Sequence, residues 1–352
     1  MKAIITFAQP SPFRQELQKR VDKYFIDHHK NKRDAISMYL KAITMIVWMG
    51  VSYYFLVFKA DSALEVIVLA MSLALALVGI GFNIQHDANH NGHSSRPWMN
   101  RIGGSTLDYF LGASSFFWKQ KHNTRHHAFT NISESDDDIN LSFIGRLSSD
   151  QKQYWFHRYQ HWYLWFAYAF LHLRYLYSDF QRLIMGTMEG KRIRRPRGSD
   201  LAMFIFGKIV FFSLAFGVPL LLHDVTTVLL VYAGVSLVIG LVFSIVFQLA
   251  HMIAETEHPG VIESLPSEWA IHQMQTTANF APHNKVLTWY LGGLNHQVEH
   301  HLFTDISHVH YPKLAPIVAI VSRESGVAYN VHKTFTAALR SHYLFLKHMG
   351  RS

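Results

Sequence analysis

Apolar side chains gather in four long runs that are separated by polar segments of very unequal length. The runs cover about residues 36–58, 62–84, 201–222 and 226–247. Each run holds roughly the 20 residues that a helix needs to cross a bilayer core of about 30 Å. The pattern therefore predicts four transmembrane helices.

The polar segments between these runs predict how the helices connect. Only a few residues separate the first two runs, near 59–61, and the last two, near 223–225. Two short turns put all the longer segments on one side of the membrane. The prediction is an all-α integral membrane fold. Its parts are an N-terminal segment (1–35), a first transmembrane hairpin (36–84), the first part of a helical cap (85–200), a second transmembrane hairpin (201–247) and the second part of the cap (248–352).

Two further apolar stretches are interrupted by charge. Residues 154–177 are rich in Trp and Tyr but also contain His and Arg, which is typical of a helix lying at the membrane surface. Residues 107–118 show a weaker form of the same pattern. We expect an apolar tunnel beneath the cap, walled by Trp118 and by aromatic residues of 154–177.

Composition supports the membrane interpretation and suggests an orientation. Only 16% of the 352 residues are charged, whereas a soluble protein carries about 25%. Of the 33 Lys and Arg, 30 fall in residues 1–35, 85–200 and 248–352. Because positive charge accumulates on the cytoplasmic side, both termini and the cap are predicted to be cytoplasmic. The same bias explains the net charge of +9 without nucleic acid. The basic run 191–197 fits anionic lipid headgroups, with an acidic protein partner as the alternative.

Histidine is abundant and unevenly distributed. The chain has 24 histidines and no cysteine, so thiolate metal sites and disulfides are excluded. None of the four apolar runs contains a histidine, and only His223 falls in a short turn. A membrane haem carrier or metal transporter would need ligands at membrane depth, so this distribution argues against both.

Three histidine clusters share one spacing, and their sequences are HDANH, HNTRHH and HQVEHH. Residues i and i+4 lie on one face of a helix, so paired imidazoles at this spacing can reach one metal ion. Imidazole suits Fe, Zn, Cu and Ni. His251 emerges from the fourth run on the same predicted side. Together the clusters predict a cytoplasmic metal site.

These clusters, with FTNISESDDDIN after the second and TTANFAPHN before the third, resemble the histidine boxes of integral-membrane fatty acid desaturases. The similarity is greatest to the acyl-lipid and acyl-CoA group that includes the front-end (Δ5 and Δ6) enzymes. The resemblance implies four spans, a cytoplasmic cap and a non-haem di-iron centre that uses O2 and two electrons to desaturate an acyl chain. It implies metal ligands, and no catalytic residues beyond them, at His86, His90, His122, His126, His127, His251, His300 and His301.

The first ligand of the third box has two candidates. Front-end desaturases begin this box with glutamine, which matches Gln297. Helical spacing instead favours His296 as the partner of His300, provided that the helix includes residue 296. We lean to His296 on that geometric ground.

The resemblance also suggests partners and alternatives. It implies a fatty acyl substrate on a lipid or on CoA, and a separate electron donor of the ferredoxin or cytochrome b5 type. A membrane hydroxylase, ketolase or alkane monooxygenase is the alternative within oxidative chemistry. Acidic residues that are candidates to orient the imidazoles are Asp87, Glu299 and Asp136–Asp138.

Overall fold

A computed structural model describes residues 5–9, 11–261 and 264–352. Within these ranges helix predominates, and the strands are four pieces of two residues each. The predicted all-α fold is confirmed. Of the predicted N-terminal segment, residues 1–4 and 10 lie outside the described residues.

The four predicted spans are helices of membrane-crossing length and hydropathy. Span 1 is Ile36–Phe58, span 2 is Ala63–Asn89, span 3 is Ser199–Leu220 and span 4 is Val225–His251. Ser62 caps span 2 in a capping box with Glu65, which explains why the helix starts directly after the short turn. Spans 2 and 4 continue beyond their apolar runs, so His86 and His251 both lie in the last turn of a long helix.

The chain forms two compact units. Unit 1 comprises residues 1–35, 121–164 and 246–352, and unit 2 comprises residues 36–120 and 165–245. Residues 85–120 and 165–200 of the predicted cap therefore group with the spans.

Unit 2 contains most of the span residues. Glycine and small side chains bring its helices close; for example, a Cβ on Gly81 would lie 2.5 Å from the ring of Phe243. Spans 2 and 3 each contain a π-helical turn, at Gly81–Gln85 and Ser213–Gly217 respectively. Besides the spans, unit 2 contains the helices Pro97–Phe110, Ser115–Lys121 (whose last residue belongs to unit 1) and Leu171–Met185, and the antiparallel pair Thr187–Met188 with Lys191–Arg192.

An apolar cavity of about 320 Å³ lies within unit 2. Side chains of all four spans line it, together with Tyr109, Phe110 and His172. Its lining includes neither Trp118 nor any Trp, Tyr or Phe of residues 154–177. The predicted tunnel walls are therefore different from the walls of this cavity.

The two predicted surface helices have different outcomes. Residues 154–177 are largely helical, in a 3₁₀ turn Trp155–Tyr159 and helices Gln160–Tyr168 and Leu171–Met185. Residues 107–118 do not form one helix. The helix Pro97–Phe110 ends, and the next begins at Ser115, because Gly112 adopts a φ of +67° that only glycine tolerates readily.

Unit 1 has its own apolar core. Helix Pro12–Asp27 buries Phe13, Leu17, Val21 and Phe25, which recur every four residues and so share one face. They pack with apolar residues of Tyr311–Glu324 and Trp269–Thr276. Further helical and paired elements of this unit are His122–His126, Asp137–Ile139, Trp155–Tyr159, Lys285–Tyr290, Gln297–Leu302, His308–His310, Phe335–Met349 and the parallel pair Asn279–Phe280 with Val331–His332.

Candidate metal centre

The first box lies at the end of span 2, in unit 2. The π-helical turn Gly81–Gln85 leads into the final turn, and both histidines of the box are buried. The ring centroids of His86 and His90 lie 4.8 Å apart. Each ring also meets Trp118 edge-on, at 5.7 and 5.5 Å respectively. Unit 2 thus presents two adjacent buried imidazoles.

Glycines let helix Pro97–Phe110 approach this box closely. A Cβ on Gly103 would lie 2.9 Å from the Cβ of Ala88, and one on Gly104 would overlap the side-chain amide of Asn89. Larger residues at either position would push the helix away from the box.

The second box is a π-helix rather than the α-helix that its spacing predicts. His122–His126 forms the π turn, and the backbone N–H of His127 donates to the carbonyl of His122 at 3.0 Å. This i, i+5 bond brings the side chains of His122 and His127 together, with their Nε2 atoms 3.1 Å apart. Single π turns inside helices often occur at functional sites.

A third imidazole completes this first group in unit 1. The Nε2 atom of His300 lies 3.2 Å from that of His127. Three buried ring nitrogens therefore converge on one point. Nitrogens so close to each other require a shared proton or a cation between them, and neutral imidazoles are good ligands for a metal ion.

A second group forms beside the first. The ring of His126 lies 4.7 Å from that of His251 and 5.0 Å from that of His301, between centroids. One ligand atom from each of these three residues lies within 4.8 Å of the others. Unit 1 thus contains two neighbouring sets of buried imidazoles with the donor atoms and spacing to hold metal ions.

Hydrogen bonds at the Nδ1 atoms orient four of these rings. An N–H at Nδ1 donates outward in each case and leaves Nε2 for the centre of the cluster. The Nδ1 atoms and their acceptors are His126 with Asp136 at 2.9 Å, His301 with Gln273 at 2.8 Å, His251 with the carbonyl of Thr276 at 3.2 Å, and His300 with the hydroxyl of Tyr311 at 3.3 Å.

Electrostatics tune the protonation of the second box. Burial lowers the pKa of His122 to about 4, although Asp138 opposes that shift, so this ring is neutral and available as a ligand near pH 7. Burial also lowers the pKa of His126, but the charge and hydrogen bond of Asp136 outweigh it and raise the pKa overall. Burial raises the pKa of Asp138, yet Lys121 and the nearby imidazoles hold it well below its usual range.

The third box differs from the geometry assumed for His296. The helix begins at Gln297, and His296 is its N-cap with non-helical backbone angles. The spacing argument for His296 required a helix at that residue, so the helical assumption behind it is wrong. The side-chain nitrogen of Gln297 lies 3.0 Å from Nε2 of His251, whereas His296 faces Glu299 at 3.6 Å. Among the described residues, the metal-ligand groups do not include His296.

Of the predicted acidic partners, Asp136 and Asp138 lie beside the imidazoles of the second box. Asp137 instead pairs with Arg125. Glu299 accepts hydrogen bonds from Asn279 and Tyr329. Asp87 is buried in unit 2 within the first box.

The structure also adds residues that sequence patterns did not single out. Gln273 accepts from His301 and from the hydroxyl of Thr130. The side-chain amide of Asn131 donates to the carbonyls of His251, Glu257 and Thr276, and so joins separate segments around the cluster. These residues carry no periodic signal: His301 is 28 positions from Gln273, and Thr130 and the partners of Asn131 are all more than 100 positions away along the chain.

Comparison with known proteins agrees with this geometry. The profile of the family described as Fatty acid desaturase matches residues 62–333. The chain belongs to the fatty acid desaturase family. This confirms the resemblance drawn from the boxes, and it makes the protein an oxidoreductase that acts on fatty acyl chains.

Individual desaturases match over nearly the whole chain. A protein of Synechocystis named sn-1 linoleoyl-lipid 6-desaturase is 39% identical over 99% of this chain and 98% of its own length. A protein of the same name from Arthrospira platensis is 38% identical, over 98% of this chain and 95% of its own. An acyl-lipid (8-3)-desaturase of Physcomitrium patens is 32% identical over 97% of this chain and 72% of its own length.

Proposed function

We propose that this desaturase acts on a lipid-linked linoleoyl chain and introduces a cis double bond at position 6, at a centre of two non-haem iron ions. The observation that supports the metal chemistry is the convergence of buried imidazole nitrogens from His122, His127 and His300, beside the group of His126, His251 and His301. The substrate and position follow from the names of the two relatives at 38–39% identity.

The donor set fits iron. Imidazole nitrogens, with carboxylate or amide oxygens nearby and no thiolate, suit non-haem iron. We assign one ion to His122, His127 and His300, and the other to His126, His251, His301 and Gln297. The amide of Gln297 presents its oxygen to a metal once the side chain is flipped, since the O and N positions are assigned only from hydrogen bonding. His86 and His90 remain predicted ligands because they match the first box of the family.

Iron bound here, with O2, supplies the strong oxidant that removing hydrogen from an unactivated methylene requires. The overall reaction consumes one O2, two electrons and two protons, removes two hydrogens from the acyl chain and releases two waters. The protein holds the ligand rings in fixed orientation through Asp136, Gln273 and Tyr311. Burial of the ligand imidazoles keeps bulk water from the reacting groups.

Two electrons must come from outside, and we propose a separate donor of the ferredoxin or cytochrome b5 type. We also propose that spans 1–4 cross the membrane, with both termini and the metal centre on the cytoplasmic side. The Lys and Arg distribution supports that orientation, and large exposed apolar residues such as Trp155, Trp162 and Phe166 suit a helical segment at the lipid surface.

The test is expression in a host that contains linoleoyl lipids but no 6-desaturated chains. Lipid extracts are analysed for double-bond position, and the purified protein for iron. We expect a 6,9,12-triene, about two irons per chain, and neither result for His300→Ala at equal expression. A hydroxylated product would favour the alternative chemistry, and active protein containing zinc without iron would overturn the metal assignment.

A further inference from the structure

A hydrogen-bonded triad of two buried residues, Glu299 and Asn279, and the partly buried Tyr329 lies behind the helix of the third box. Glu299 is fully buried, and its two oxygens accept from the hydroxyl of Tyr329 at 2.7 Å and the amide of Asn279 at 2.8 Å. That amide also donates to the Tyr329 oxygen at 2.7 Å. Burial raises the pKa of Tyr329, and Glu299 raises it further, so the hydroxyl keeps its proton as a donor. The three side chains thus satisfy one another's hydrogen-bonding groups.

Asn279 also fixes the start of the helix. Its side-chain oxygen accepts from the backbone N–H of Val298 at 2.9 Å, one of the N–H groups that a helix leaves unpaired at its beginning. Asn279 is itself held in place, because its backbone N–H donates to the carbonyl of Asn330 at 2.9 Å beside the short parallel pairing. The triad therefore constrains both the first turn of the helix and its rotation.

Helical geometry converts that constraint into a choice of ligand. Each residue advances by about 100°, so Glu299 lies about 200° from Gln297, whereas His301 lies only about 40° from it. Holding Glu299 outward turns Gln297 and His301 toward the opposite side, with His300 about 60° from Gln297. That is the side on which Gln297 meets His251. His296 precedes the helix and faces Glu299 instead.

We propose that Glu299, Asn279 and Tyr329 set the register of the third box, so that Gln297 and not His296 faces the metal-ligand cluster. Asn279 and Tyr329 are positioning residues that act through the helix and touch no ligand imidazole. The inference rests on the proposed function only in taking this cluster to be the metal site.

The test uses the purified full-length protein in detergent. Tyr329→Phe removes one hydroxyl and keeps the ring, and Tyr163→Phe is the matched control, because the Tyr163 hydroxyl donates only to the carbonyl of Ile144. Iron retention is measured against a graded series of chelator, together with the thermal unfolding midpoint. We expect about tenfold weaker iron retention in Tyr329→Phe, which is the lower end of the effect of outer hydrogen-bond partners on metal sites. Iron retention in the control Tyr163→Phe should equal that of the wild type.

A second readout separates positioning from general stability. The visible spectrum of the Co²⁺-loaded protein depends on the ligands and their geometry, so it should change in Tyr329→Phe and not in Tyr163→Phe. Glu299→Gln should also weaken iron retention. Because Glu299 and Tyr329 share one interaction, Tyr329→Phe should lower iron retention less in the Glu299→Gln background than in the wild type. This pair keeps the proposal testable if one variant folds poorly.

The outcomes distinguish this inference from the proposed function. A wild type that binds no iron would contradict the proposed function itself. Iron-bound wild type with unchanged retention in Tyr329→Phe and Glu299→Gln would overturn the register proposal alone. A parallel fall in retention and thermal midpoint with an unchanged Co²⁺ spectrum would also overturn it, since the triad would then act only through general packing.

Discussion

The side-chain amide of Gln297 lies 3.0 Å from Nε2 of His251, although the two residues are 46 positions apart. His251 ends span 4 and Gln297 begins the helix of the third box. Their contact joins the last turn of span 4 to the third histidine box, at the nitrogen that is left for a metal ion.

This contact predicts the order of effects at the third box. Gln297→Ala should remove a metal ligand and lose most iron and turnover. His296→Ala should lose less, because its ring faces Glu299. Iron content and product formation are compared at equal protein. Full iron and normal turnover in Gln297→Ala, with losses in His296→Ala, would restore the order that spacing alone favoured.

Asp136 should control metal affinity without being a ligand. Its carboxylate accepts from His126 and from the backbone N–H of Asn131, so Asp136→Asn removes the charge that orients and polarises the ring. The expected loss is 10- to 100-fold in iron affinity or activity. Asp305→Asn, at an exposed ion pair with Arg33, is the control and should match the wild type. Equal affinities in all three proteins would exclude this role.

Stability should fall in acid because several histidines are buried in neutral form. Burial lowers the pKa to about 4 at His122, His172, His258, His272 and His342. Below about pH 6.5 the unfolded chain binds protons that the folded chain does not, so the free energy of unfolding decreases as the pH falls from about 6.5 to about 4. The thermal midpoint measured across this range should drop progressively. A midpoint that is constant between pH 7 and 4.5 would contradict the prediction.

His342 offers a direct check of this linkage. Its ring is fully buried and its Nδ1 donates to the carbonyl of Met252 at 2.6 Å. His342→Gln removes one titrating group, so the decline in thermal midpoint below pH 6.5 should be shallower than in the wild type. Parallel curves for the two proteins would show that His342 does not contribute.

The orientation of the chain can be tested by labelling, because the sequence contains no cysteine. Asn140→Cys and Lys59→Cys both replace exposed residues. A membrane-impermeant thiol reagent applied to intact cells should label the protein at position 59 and not at position 140, and lysed cells should label both. Labelling at 140 in intact cells would reverse the proposed topology.

The sequence alone determined the elements that depend on local pattern. A bilayer requires about 20 consecutive apolar helical residues, so the four spans are visible as runs, and their bounds agree with the helices to within a few residues at most ends. The three boxes are equally local, since each is a short segment and their shared histidine spacing is visible in the sequence without a structure.

Only the tertiary structure decided how those residues are used. The π turn at His122–His126 pairs His122 with His127, which an α-helical spacing does not anticipate. The choice between His296 and Gln297 depends on where a short helix begins and how it is rotated. Asn279 and Tyr329, 20 and 30 positions from Glu299, provide the hydrogen bonds that hold it there. Such bonds join distant segments and depend on side-chain direction, so they leave no periodic trace in the sequence.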